Sequence, residues 1–374
     1  MGLIGFDFVN VEQLLCTPRV GHGQRLERSA LGFFSVDRNH KFYNDESQLR
    51  IIKMPGPMSF PLNVALRVDP QYSKLFKHFY GDYLDPLLQY MIANPTGFFA
   101  ANPYGPGLLA KVPLITQMEV IQELMCTPYN RTENWRIVGS RYRNTSYMCI
   151  EVPGGPINPN QQRTNNFEAV LKLLMHHGGE LFLPNRLQCT AQYKNVFLGE
   201  LDEELSILYD APMDGAYVLN NHADSPLTTL SNLRFMDFRV GRCVLDDSGR
   251  HTSACYGPME ALSWWSECYL KKMKQIYVGC GYPVGLVDCL KEVTASSLIP
   301  ENRSVWSPSI CHKFLDYTLR KMMDEMEGTD DPCVTFEFNY VAEKRKIYVR
   351  KEAGNRRCPL LPQWYIRMME KDPE

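Results

Sequence analysis

Asp214 stands 23 positions ahead of the run Asp237-Phe238-Arg239, and the second acid falls in a stretch whose apolar pattern predicts a strand. Many metal-dependent nucleases use such a layout. One carboxylate sits on a strand, another on the next strand, and a Lys two residues later helps orient the attacking water beside divalent metal. Alternate residues of a strand share a face, so Asp237 and Arg239 are expected to point into one site. Arg is a poor substitute for Lys there: it stays protonated and its planar fork needs more room, so a salt bridge to Asp214 or Asp237 is the expected arrangement. Two acids and an arginine on neighbouring strands also arise by chance in large proteins, and the spacing alone leaves a structural role as the commoner outcome.

Other chemistry-bearing residues have simpler readings. His176-His177 close a predicted helix, with no Cys, Asp or His at ligand spacing, so contact with the last helical carbonyls is expected. Lys344-Arg345-Lys346, Arg350-Lys351 and Arg356-Arg357 form the most basic stretch and read as a solvated hairpin before a nuclear-localisation or RNA-contact segment. Asp202-Glu203-Glu204 reads as a solvated turn. Trp264-Trp265 offers a base-stacking surface, but adjacent helical residues point about 100° apart, so at least one belongs to the core.

A chain of 374 residues, 44% of them hydrophobic, has material for a large core. Its formal net charge of −2 provides no whole-chain attraction to nucleic acid, so any RNA contact has to be local. The 12 cysteines include no Cys-x-x-Cys pair and are expected to be reduced thiols. No signal-peptide pattern opens the sequence and no stretch approaches a membrane span, which makes an intracellular protein with no membrane contact the expectation.

The first fifty-odd residues show no clean periodicity. Beyond them, Leu84, Leu87, Leu88 and Met91 recur at helical spacing, and Arg136 to Val138 and Tyr147 to Val152 read as a hairpin. Asn165 and Glu168 make a capping-box-like start to a helix with Phe167, Val170, Leu171 and Leu174 as its apolar stripe. Short apolar runs at Asn195 to Leu198, Ile207 to Tyr209, Tyr217 to Leu219 and Leu233 to Phe238 predict a sheet. A helix from about Glu260 to Lys274, a strand from Gln275, a helix opened by Pro308 and a closing hairpin through Val334, Phe338, Ile347 and Val349 follow. Helices and strands interleave without a βαβ rhythm, which predicts an α+β fold in one integrated domain over 1–374.

Several short motifs occur in a shared order: Met125-Cys126-Thr127-Pro128-Tyr129 with Trp135, Arg141-Tyr142, Trp264-Trp265, Trp306-Ser307-Pro308-Ser309-Ile310-Cys311 and Leu361-Pro362-Gln363-Trp364-Tyr365. In order and approximate spacing they resemble the DXO-type decapping exoribonuclease family over roughly residues 80 to 370, leaving an irregular segment at about 1–80. The resemblance implies a single α+β domain of two packed mixed or antiparallel sheets flanked by helices, and divalent-metal hydrolysis of aberrant RNA 5′ ends. It also implies that the active positions are damaged. The family's Gly-Tyr-Lys-Phe-Glu is matched to Gly178-Gly179-Glu180-Leu181-Phe182, placing Phe182 at an acidic position. Glu-x-Asp becomes Pro212-Met213-Asp214, Glu-x-Lys becomes Asp237-Phe238-Arg239, and the Gln after the tryptophans becomes Glu267. Arg141 matches an RNA-contacting arginine, and Arg239 is the second candidate RNA contact.

Four acids thus fall to two, leaving Asp214, Asp237 and the Phe238 carbonyl as residual metal donors, and no cofactor is expected unless Mg²⁺ or Mn²⁺ serves a residually active site. A kept scaffold with lost ligands most resembles the degenerate branch of the family in the germline piRNA pathway. That likeness implies a nuclear, chromatin-associated pseudoenzyme that holds or protects nascent RNA 5′ ends in piRNA-precursor transcription and transposon silencing. It further implies the chromatin proteins Rhino and Deadlock as partners, together with the family's association with 5′→3′ exoribonucleases. Two alternatives stand beside it: an active decapping or exonuclease enzyme with a rebuilt site from Asp214, Asp237 and Glu267, and a protein-interaction scaffold that does not bind RNA.

Overall fold

The computed structural model describes residues 6–12, 24–37, 39–65, 84–103, 105–151, 159–176, 191–218, 233–248, 251–281, 285–302, 304–353 and 360–371. Its largest element is a ten-stranded sheet in the spatial order Phe6–Asn10, Lys346–Glu352, Thr335–Val341, Trp135–Tyr142, Thr145–Glu151, Leu114–Gln117, Ser206–Met213, Gln192–Glu200, Glu27–Val36, Phe42–Tyr43. The central strand Leu114–Gln117 runs parallel to both its neighbours, and the other pairings are antiparallel. A second, four-stranded sheet carries His251–Cys255, Phe238–Leu245, Gln275–Cys280 and Cys289–Thr294, with its two inner strands parallel. Helices flank both sheets, so the fold is α+β with mixed sheets, as the interleaved pattern predicts.

Local chemistry sets the elements. The hairpin Gln192–Glu200 to Ser206–Met213 turns at Asp202, whose carboxylate accepts the amides of Glu204 (2.9 Å) and Leu205 (2.8 Å) in an Asx turn. The acidic run is therefore a hairpin tip, with Asp202 also paired to Arg320. The helix Pro258–Leu270 opens with Pro at its first turn, where the missing N–H costs nothing, and Glu260 reaches back to accept the Gly257 amide at 2.7 Å. This helix buries Trp264 and Trp265 together, the second tilted against Trp306 with ring centroids 5.3 Å apart, so neither ring is free to receive a base. Pro308–Glu327 buries Cys311, Phe314, Leu315, Leu319, Met322 and Met326, the i, i+3 and i+4 pattern of one apolar face.

Three features differ from the sequence expectations. The N-terminal segment is not irregular: Phe6–Asn10 and Glu27–Val36 are strands of the large sheet. The helix expected to start at Asn165 begins at Pro159, so Asn165 and Glu168 lie within it, and Phe167, Val170, Leu171 and Leu174 pack on Phe238 and Val240 of the small sheet. Cys243 and Cys280, on the two inner strands of that sheet with Cα atoms 5.5 Å apart, form a disulfide, and Cys333 is disulfide-bonded as well. Among the described residues no helix is long and apolar enough to cross a membrane.

Candidate functional site

Asp214 leaves the end of the strand Ser206–Met213, and the chain then enters a two-stranded ribbon that pairs Gly215 with Met236. Gly215 permits this crossing, since a Cβ there would meet the Arg50 carbonyl and Ile52 Cγ1, each at 2.9 Å. The pairing brings Asp214 and Asp237 face to face just beyond the ribbon. The Asp214 amide donates to Asp237 Oδ1 (3.3 Å) and the Phe238 amide donates to Asp214 Oδ2 (3.2 Å). Asp237 occupies the break between Leu233–Met236 and Phe238–Leu245, which share one expected strand, and its side chain has no solvent exposure. The Tyr277 amide, donating to the Asp237 carbonyl at 3.0 Å, fixes that corner.

Two helices complete the cluster. Glu267 and Lys271 project from consecutive turns at the end of Pro258–Leu270, and Lys271 Nζ lies 2.6 Å from both Asp237 Oδ2 and Glu267 Oε1. Arg239 Nη2 contacts Glu267 Oε2 and lies 3.7 Å from Asp237 Oδ2. Its Nη1 donates to the Phe238 carbonyl (2.9 Å) and lies 3.7 Å from Asp214 Oδ2. From the helix Pro159–His176, Lys172 Nζ reaches Asp214 Oδ1 at 2.8 Å and Glu168 Oε1 accepts the Val240 amide at 3.4 Å. His176 Nε2 donates to the Asp214 carbonyl (3.0 Å).

Burial and charge pull these groups in opposite directions. Burial pushes Asp237 up to about 6, reinforced by Asp214 and opposed by Lys271. Burial also acts to raise Glu267, but Arg239 and Lys271 overcome it and hold that carboxyl well below the usual range. Asp214 is likewise lowered against its burial by Lys172, Lys271 and Arg239. Glu168 is raised, burial outweighing Arg239 and Lys172. Burial opposes the charge of Lys271 and Arg239, yet the surrounding carboxylates raise both, so they remain cations.

The structure thus unites Asp214, Asp237, Phe238, Arg239 and Glu267. Pro212 lies on Ser206–Met213, two residues before Asp214 and opposite Lys194, and offers no side-chain donor. Phe182 lies outside the described residues. Arg141 is not brought to the cluster. It pairs with Ser146, level with Leu114 and Ile207, so seven residues or roughly 23 Å of strand separate that level from Asp214. Arg239, expected to reach RNA, instead turns inward, its fork taken up by carboxylates and a carbonyl. Sequence reasoning missed Lys271, Lys172 and the inward role of Glu168. The available signal was two Glu-x-x-x-Lys steps, Glu168 to Lys172 and Glu267 to Lys271, whose spacing normally suggests exposed helix pairs.

The donor set does not fit a divalent ion. Mg²⁺ requires near-octahedral oxygen at about 2.0–2.1 Å. Here the donors foreseen from the sequence, Asp214, Asp237, Glu267 and the Phe238 carbonyl, each face a nitrogen of Arg239 or Lys271. Among the described residues no group of three or more His, Cys, Asp or Glu side chains is arranged to hold a metal.

Known proteins place this geometry in a family. The RAI1 like PD-(D/E)XK nuclease model matches residues 28–179 and 183–366. Protein cutoff of Drosophila melanogaster is 24% identical over 353 residues, covering 91% of this chain and 87% of that protein. The Decapping and exoribonuclease protein of Mus musculus is 24% identical over 369 residues, covering 92% and 85%. The fold is shared with Scheffersomyces stipitis Rai1, solved with (3′-NADP)+ and calcium, at a TM-score of 0.68, 12% identity and coverage of 95% and 97%. The chain belongs to the RAI1-like PD-(D/E)XK nuclease family.

Proposed function

We propose that this protein is a hydrolytically silent member of its family that holds RNA 5′ ends without cutting them, in the manner of a cutoff-like factor. One observation carries the reading: every donor foreseen for a metal is already in contact with a nitrogen of Arg239 or Lys271. With those donors engaged, the site has no place for an ion that would activate water or polarise a phosphoryl oxygen, the two roles metal plays in such hydrolysis. The RNA contact falls to Arg141, the position that matches an RNA-contacting arginine, whose Nη2 reaches Asn144 only at 3.5 Å.

By likeness to cutoff, we assign the protein to the nucleus and to piRNA-precursor transcription, where it shields nascent 5′ ends from processing beside Rhino and Deadlock. Reconstitution with those two purified proteins tests this arm, and failure to form a complex removes it.

The central experiment incubates purified protein with Mg²⁺ or Mn²⁺ and 5′-monophosphate, 5′-triphosphate and capped RNAs. The expected result is RNA retention without product, with retention weakened at least tenfold by Arg141→Glu. Product that disappears in the Asp214→Ala/Asp237→Ala double variant overturns the reading and makes the protein an enzyme with a rebuilt site. Neither product nor retention leaves a protein-interaction scaffold.

A further inference from the structure

We infer that Lys271 is an internal stand-in for a divalent cation, and that the carboxylates around it form a latent metal site which this one side chain keeps shut. The inference rests on the silent reading above and deepens it by assigning the closure to one residue.

The argument begins with charge. Glu168, Asp214, Asp237 and Glu267 carry four formal negative charges, and Lys172, Arg239 and Lys271 carry three positive ones. Charges this deeply buried persist only when they are largely compensated, because desolvation otherwise exceeds the Coulombic gain, and here the three cations leave one formal negative charge over. The three cations are not equivalent. Lys172 pairs with Asp214 at 2.8 Å from the rim and acts on Glu168 as well, with its side chain 28% exposed. Arg239 lies along the side of the cluster and spends one arm on the Phe238 carbonyl. Lys271 alone bridges two carboxylates from different elements at equal 2.6 Å distances, with a side chain only 2% exposed. A point charge between two carboxylate oxygens is the role a bridging metal ion fills.

Position explains how one residue closes the site. Lys271 caps the end of Pro258–Leu270, and its amide still bonds to the Glu267 carbonyl at 2.9 Å. The ammonium is thereby delivered back over the same helical turn that carries Glu267. Replacing Lys271 by Met keeps the length and apolar character of the stem and removes one positive charge. The cluster's formal imbalance then changes from one negative charge to two, the charge of a single dication.

The test uses Mn²⁺ alone as probe, with binding followed by loss of the free-ion EPR signal and by the shift in melting temperature. Wild type is expected to show neither. Lys271→Met is expected to bind one Mn²⁺ with a sub-millimolar dissociation constant and to melt higher with the ion than without it. Adding Asp237→Asn is expected to weaken that binding at least tenfold. If Lys271→Met is unfolded without metal, Mn²⁺ is expected to restore the fold, since an ion that binds only the native state stabilises it by mass action. A variant that stays metal-free, or stays unfolded with millimolar Mn²⁺, overturns the inference and leaves the silent reading standing. Mn²⁺ bound by wild type in an Asp237-dependent manner overturns both.

Discussion

Arg239 and Arg345 are both buried, and the molecule neutralises them by opposite means. Arg239 is surrounded by full charges, Asp214, Asp237 and Glu267, while Arg345 is held mainly by dipoles. Arg345 donates to the carbonyls of Pro128 (2.8 Å) and Asn130 (3.1 Å), and Glu12, more than half exposed, approaches at 3.4 Å. Arg345 thus ties the Thr127-to-Asn130 turn to the final hairpin, and so one residue of the basic stretch expected to be solvated is structural. The difference is one of consequence. Losing a charge among charges strands an ion, whereas losing a charge among carbonyls strands only hydrogen-bond acceptors.

The largest effect expected from that contrast is at Arg239. Arg239→Met leaves buried carboxylates undercompensated and should cost about 3–5 kcal/mol of unfolding free energy. A urea midpoint lowered accordingly, and partly restored by adding Glu267→Gln, confirms the ionic account; a loss below about 1 kcal/mol breaks it. Arg345→Met should cost less, about 1–3 kcal/mol, because acceptors and not charges lose their partners. Met meets the same left-handed backbone demand as Arg (φ 54°), so strain does not confuse the measurement. An equal or greater loss than at Arg239 sinks the distinction. The smallest effect belongs to the exposed pair Arg136 and Glu151 at 3.0 Å, where Arg136→Ala should move stability by less than about 1 kcal/mol and lose even that in high salt.

The same contrast shows which parts of the site were legible. Strand periodicity puts Asp237 and Arg239 on one face, and the structure brings them together although Asp237 sits in the break just before Phe238–Leu245. Glu267 became legible only through the motif around Trp264-Trp265. Lys271 and Lys172 were hidden because an i, i+4 pair looks the same in sequence whether it faces solvent or core, and only the tertiary packing of each helix decides. Arg141 shows a different limit: a motif match carries no distance, and only the strand pairing shows that it lies level with Ile207, at the opposite end of Ser206–Met213 from Asp214. The N-terminal strand Glu27–Val36 escaped notice because only its last three residues are fully buried, so it lacks the apolar alternation of a half-buried strand.

The covalent attachment of Lys271 has a consequence for how the cluster responds to its surroundings. An ion borrowed from solution can be removed by dialysis, competed away or sequestered by a chelator, and its occupancy follows the metal content of the compartment. An ammonium tethered one helical turn from its partner is present at fixed stoichiometry whatever that content is. The positive charge that Lys271 brings to this cluster is therefore inherited with the polypeptide, and it is the same in EDTA as in a metal-rich buffer.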